Sequence, residues 1–304
     1  DPANPLIARV AVNRWWAHFF GRGLMSSGED FGTQSEPASH PELLDWLAVE
    51  LMEQGWSRKH LHKLIVMSAT FRQDSRGDGE SHQRDPDNRW LARGPRFRMP
   101  AEMIRDNGLA ISGLLSTKMG GPPVMPFQPP NLWRTVGRNG PQWKVAEDED
   151  RFRRGLYIVW RRAAPYPSFV NFDAPDRAAC VIERPRTNTP LQALTLLNDQ
   201  AFLEMAAALA ASVAGPSGND QVRGQIRQAL RRCVARNAEA EEIDILHELY
   251  RSELQRFQDE PKLAQKFLQE CRAPAEPSPG GPEHLAALTL VCNVLLNLDE
   301  TINY

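Results

Sequence analysis

The chain has 304 residues, 41% of them hydrophobic and 24% charged, with a formal net charge of -2. That is long enough to bury a large core, and the charge balance excludes a global attraction to nucleic acid or to an anionic membrane. No apolar run approaches the ~20 residues a membrane helix needs, so no membrane span is predicted. The opening DPANPLIARV lacks a basic segment followed by a cleavage site, so no signal peptide is predicted. The chain begins without Met and enters a helix at once, and it reads as a piece of a longer protein whose compartment its first residues do not reveal.

In chain order, Asn4 caps a first helix with Pro5 at its first position, and Gly21 and Gly23 end it. It is apolar on most sides (Leu6, Ile7, Val10, Val12, Trp15, Trp16, Phe19, Phe20), which predicts a buried helix. A second helix starts at His40-Pro41 and stops at Gly55; Ser57 caps a third that runs on to Gln73. Residues 74–98 are polar and turn-rich and read as a loop. A fourth helix follows Pro100 and fades near Lys118. From 119 to 188 the composition changes: GGPPVMPFQPPNLW predicts extended, irregular chain. There GLYIVWRR at 155–162 reads as a strand, pairing with part of 119–146 in a small hairpin at most. Thr189-Pro190-Leu191-Gln192 then fits a capping box opening one long helix to Gly215. Helices at about 219–236 and 239–258 form an antiparallel pair, and a Pro/Gly linker at 273–282 precedes a closing helix. The fold class is mainly α: an irregular multi-helix domain with a Pro/Gly-rich middle, in sub-regions 1–118, 119–188 and 189–304.

Polar residues at apolar positions mark a buried network, a ligand pocket or an active site. On the first helix these are two i,i+4 pairs, Arg9 with Asn13 and Arg14 with His18. Ser68 and Arg72 fall inside the apolar stripe of the third helix. On the fourth, Met103, Ile104, Ile111 and Leu114 define the apolar face, with Glu102 and Asp106 one turn apart beside it as partners for Arg14 or Arg72. The closing helix carries a row of Thr289, Asn293, Asn297 and Glu300.

Chemical signatures are sparse. His60 and His62 are two apart on a helix and point away from each other, His18 or His40 could join a distant carboxylate but reads better as structural, and the sequence has no H-E-x-x-H. Cys180, Cys233, Cys271 and Cys292 form neither C-x-x-C nor C-x-x-C-H, so no metal or cofactor site is predicted and free, buried thiols are expected. G-x-S-x-G and the phosphate-binding glycine loop are both missing from the sequence. Paired carboxylates for acid/base work are available at Glu102 with Asp106 and at Asp173 with Asp176. Five arginines (Arg223, Arg227, Arg231, Arg232, Arg236) line one helix, but Glu239, Glu241, Glu242 and Asp244 follow them, which predicts a charge-paired hairpin. Phe127, Trp133, Trp143, Trp160, Tyr166 and Phe169 either cover the core beneath the irregular middle or form a contact surface for carbohydrate or protein.

Taken together, NPLIARVAVNRWWAHFFGRGL, EDFGTQSEPASHPELLDWLAVEL, GWSRKHLHKLIVMSATFRQ, NFDAPDR, TNTPLQALTLLND and ALTLVCNVLLNLDE resemble planctomycete-specific domain one, domain of unknown function 1553. The resemblance spans essentially the whole chain as one family domain. It implies the C-terminal module of an exported multidomain protein, placed after a companion domain and a cytochrome c domain. Haem then belongs to a neighbouring domain, and the partners are other domains of the same polypeptide, a polysaccharide or a protein. The family has no agreed activity and no assigned catalytic residues. The leading expectation is therefore a non-catalytic structural or interaction module. The alternative is a hydrolase or redox accessory enzyme with a pocket of Arg14, His18, Arg72, Glu102, Asp106 and Arg184, in which Glu102, Asp106 and His18 are the catalytic candidates.

Overall fold

The computed structural model describes residues 4–28, 30–32, 35–77, 79–130, 132, 143–275 and 278–304. Among them the chain forms thirteen α-helices and no β-strand, so the mainly α class holds. Two compact units divide it, residues 1–98 with Tyr304, and residues 99–303.

The first unit is built on α1 (Pro5–Phe20), α2 (Pro41–Glu53) and α3 (Arg58–Met67). Asn4 caps α1 through its side chain, which accepts from Leu6 N at 2.9 Å, and Gly21 ends the helix in the left-handed region at φ 78°. Ala8, Val12, Trp16 and Phe20 form its buried row and pack on Leu44, Leu47, Leu51, Leu61 and Ile65. The other side faces solvent, including Leu6, Ile7, Arg14 and His18. The expectation of burial all round is therefore corrected to one buried face. α3 stops at Met67 rather than at Gln73, because Ser68 turns extended and its hydroxyl takes over, donating to Ile65 O and accepting from Phe71 N. Within the polar stretch 74–98 lies a short helix, α4 (Gly79–Arg84), and Arg93 holds the turn that follows it. This arginine is buried and donates to the carbonyls of Asp85 (2.8 Å) and Pro86 (2.9 Å).

The second unit is centred on α12 (Gly281–Leu296), which is buried on nearly every side as an all-round apolar helix should be. Its main neighbour is α8 (Gln200–Val213), whose Ala206, Ala207 and Ala210 let the two helices approach closely. Around them pack α9 (Asn219–Val234), α10 (Ala240–Asp259) and α11 (Pro261–Glu270), with α7 (Pro190–Asn198) and α5 (Ala101–Ser112) against α8. α6 (Pro167–Asn171) and α13 (Asp299–Ile302) are short. The helix expected from 190 to 215 is broken in two. Asp199 adopts an extended backbone and caps the second half, its carboxylate accepting from Ala201 N at 2.9 Å. α11, opened by Pro261, has no counterpart among the predicted elements.

The predicted strand at 155–162 is a second correction. Gly155–Tyr157 is a 3-10 turn, followed by a single parallel bridge between Ile158 and Val124. The pairing partner does come from 119–146, but the prolines at 122 and 123 leave too few amide donors for a ladder.

Candidate functional site

The predicted site residues fall in both units. In the first, Arg9 pairs with Asp45 at 2.6 Å and donates to Pro5 O. Asn13 does not bond Arg9. It is buried and bonds the backbone of Met25 twice, accepting from N at 2.8 Å and donating to O at 3.2 Å. A Cβ on Gly23 would stand 2.5 Å from the Asn13 amide, so this close approach requires glycine. Arg14 and His18 are exposed, and Arg72, beyond the end of α3, is exposed and donates to Ser68 O at 3.4 Å. His60 pairs with Glu50, while His62 packs edge-on to Trp15 and Phe19, and burial pushes its pKa down.

In the second unit the carboxylates converge on one neighbourhood. α5 offers its buried row as Ala101, Ile104, Arg105, Gly108, Leu109 and Ser112, so Met103 is exposed and the predicted apolar face is rotated. Glu102 accepts from Arg184 at 2.7 Å, which replaces the expected partners Arg14 and Arg72. One turn on, Asp106 accepts from the Gly155 amide at 2.7 Å, and burial pushes its carboxyl above the ordinary range. Gly155 is again a close approach: a Cβ there would meet Phe169 at 2.9 Å and Glu102 at 3.0 Å. Asp173, at φ 62°, accepts from both the amide (2.7 Å) and hydroxyl (2.8 Å) of Thr187, closing the loop 173–187. Asp176 lies within that loop and accepts from Ala178 N at 2.9 Å. The loop is thus fastened at its base and, through Arg184, to α5.

Three arginines absent from the predicted set order the segment beneath. Arg105 is buried and donates to the carbonyls of Arg153 (2.7 Å) and Arg151 (2.6 Å). Arg153, with no exposed surface, donates to Pro122 O (3.0 Å) and to Gly120 O, and its guanidinium lies 3.8 Å over the Tyr157 ring. Arg151 pairs with Glu204, whose carboxyl burial pushes up against the pull of that arginine. Asp199 shows the same upward push from burial and accepts from Ser168 at 3.0 Å. Arg105 was legible in principle, since it falls in the Ala101–Leu109 row. Arg153 lies outside any helix and offers no periodicity.

Of the polar row on the closing helix, Thr289 bonds within α12 while Asn293 and Glu300 reach other elements. Thr289 donates to Leu285 O (2.8 Å), Asn293 donates to Leu196 O (3.1 Å) and so ties α12 to α7, and half-buried Asn297 ends α12. Glu300 joins Glu242 on Arg236, and Arg223 pairs with Asp244, so the α9–α10 hairpin is charge-paired. Of the aromatic set, Tyr166 and Phe169 are core, and Trp143 and Trp160 stack on them at 6.3 and 6.4 Å. Phe127 is half-buried, and Trp133 lies outside the described residues. Cys233, Cys271 and Cys292 are buried free thiols and Cys180 is exposed. Among the described residues no three His, Cys, Asp or Glu side chains gather where they could hold a metal ion, and no helix is long and apolar enough to cross a membrane.

No curated relative and no solved structure matches the chain. A family model, PSD1, protein of unknown function (DUF1553), matches residues 1–250, which takes in both units as far as α10. The carboxylate anchors, the 173–187 loop and all three ordering arginines lie inside that match, and the chain belongs to the PSD1 (DUF1553) family.

Proposed function

We propose that this chain is a non-catalytic interaction module, one domain of an exported, multidomain planctomycete protein of cytochrome type. Its partner in this reading is the companion domain, another protein or a polysaccharide, and any haem sits in a neighbouring domain. The observation behind the module reading is what the carboxylates do. Glu102, Asp106 and Asp173 each accept hydrogen bonds that fasten a loop. Groups engaged in this way are committed to holding chain segments in place, and the 173–187 loop that Asp173 and Glu102 fasten carries exposed Val181 and Ile182 between arginines, the composition of a contact surface. The exported cytochrome context rests on the family resemblance.

The test is a turnover screen of the chain and of its Glu102→Gln variant against glycosides, esters, peptides and phosphate esters. The module reading expects no turnover by either protein and a lower melting temperature for the variant. Turnover by the parent, lost in a variant that melts at the same temperature, would instead establish the hydrolase alternative, for which the raised Asp106 carboxyl is the natural acid. The cytochrome context is tested on the full-length gene product: a haem absorbance band and a cleaved leader support it, and a haem-free cytoplasmic protein removes it.

A further inference from the structure

The second helix presents to solvent a stripe that finds no complement within its own unit. Glu42, Trp46, Val49 and Glu53 stand at i, i+4, i+7 and i+11, on one face of α2 and away from its buried Leu44, Leu47, Ala48 and Leu51. Trp46 is 54% exposed and Val49 46%. Just past the helix, Trp56 is 45% exposed. Residues 40–57 contain four carboxylates and neither Lys nor Arg, although Arg58 and Lys59 follow at the start of α3. Asp45 and Glu50 are taken up by Arg9 and His60. Glu42 and Glu53, at the two ends of the stripe, have no ion pair among the described residues. A tryptophan left in water between two unpaired acids is the composition of an interface centre, where Trp is the most enriched residue.

The second unit carries the opposite pattern. Residues 151–186 hold eight arginines against three acidic residues, in a chain whose net charge is only -2. Arg154, Arg162 and Arg177 are exposed, and Arg177 lies 4.9 Å over the Trp160 ring. The loop between Asp173 and Thr187 displays Val181 (48% exposed) and Ile182 (47%). Because the loop is fastened at its base and through Arg184 to Glu102, little ordering is left to be done on binding.

We propose that the chain self-associates head to tail, with the Glu42–Trp46–Val49–Glu53 stripe of one copy docked on the arginine–aliphatic loop of a second copy. Trp46 and Val49 meet Val181 and Ile182, while Glu42 and Glu53 meet the surrounding arginines. The proposal rests on the interaction-module reading of the loop and adds its occupant. The contact is heterologous, so each copy keeps one stripe and one loop available, and the assembly closes as a ring or continues.

Sedimentation velocity of the chain, run from low to high micromolar concentration, tests it. The expected result is concentration-dependent association that weakens with added salt. Trp46→Ala should raise the dissociation constant roughly thirtyfold, the loss of one interface hot spot. The charge reversals E42K/E53K and R162E/R177E should each abolish association with an unchanged circular dichroism spectrum, and mixing the two variants should restore it. If Trp46→Ala fails to fold, the two surface reversals decide. A chain that stays monomeric at every concentration in low salt overturns the proposal, as does association that neither reversal disturbs or a mixture that stays dissociated. A monomeric chain would leave the turnover screen, and with it the module reading, untouched.

Discussion

The α8–α12 pair and the irregular stretch from Gly113 to Tyr166 belong to the same unit and are held by opposite chemistry. In the helix pair, alanines and leucines are removed from water, each fully buried leucine contributing about 2 kcal/mol. Its backbone groups are satisfied by the helices themselves. The described part of the irregular stretch, rich in proline and glycine, has little such internal bonding, so carbonyls at Gly120, Pro122, Arg151 and Arg153 need donors from elsewhere. Two buried guanidiniums, Arg105 and Arg153, provide them. Arg93 does the same for the polar stretch of the first unit, donating to the carbonyls of Asp85 and Pro86. Buried arginine is thus the device by which this protein orders chain that has no regular structure.

That contrast can be broken from either side. The largest effect is expected from Arg153→Ala, which removes a fully buried side chain stacked on Tyr157 together with the donors to Gly120 O and Pro122 O. We predict a loss of about 4 kcal/mol in urea denaturation of the second unit, from the cavity left and the hydrogen bonds lost. Leu288→Ala, in the middle of α12, removes only apolar contact and should cost about 3 kcal/mol. The two variants should differ in kind as well as size, because only the arginine change acts first on the irregular stretch. A smaller effect follows from Thr189→Ala, since Thr189 accepts from Gln192 N at 3.3 Å and caps α7: about 1 kcal/mol by thermal melting.

The smallest is a pH effect at Glu242. Arg236 holds this carboxylate down at about 2 from its ordinary 4.5. Its stabilisation is therefore complete above pH 4.5 and is lost as pH falls through about 2. Glu242→Gln should cost less than about 1 kcal/mol at neutral pH, because the pair is largely at the surface, and the difference should vanish only below about pH 2. Asp106, Asp199 and Glu204 act with the opposite sign. Burial raises them, so the folded chain takes up their protons before the unfolded chain does, and acidification through that window favours the folded state.

The same contrast explains what the amino-acid sequence discloses. Caps read well because they are local: Asn4, Ser57 and Thr189 all accept the amide bonds their positions imply. The class of fold reads well because α12 and α8 are long and strongly apolar. Local rules failed where a polar side chain outcompeted the helix, at Ser68 and at Asp199, and where β-branched residues in GLYIVWRR had no neighbouring strand to pair with. Within the candidate site, Glu102, Asp106 and Asp173 were found because paired acids are conspicuous. Arg184 is predicted in the same pocket as Glu102 but not as its partner, and the contacts to Arg184, Gly155 and Thr187 span 82, 49 and 14 residues, which no spacing rule encodes. Arg153 is the extreme case: a fully buried charge whose role depends on carbonyls 31 to 33 residues upstream.

Amide hydrogen exchange of the parent and of Arg153→Ala, read residue by residue, tests the ordering role of the buried arginines most directly. The informative amides are Ser116, Val124 and Val159, which donate to Phe152 O, Tyr157 O and Val124 O. All three should be protected in the parent and lose protection in the variant, while the amides of α8 and α12 keep theirs. Retained protection at the three amides, or an equal loss across α8 and α12, would contradict that role.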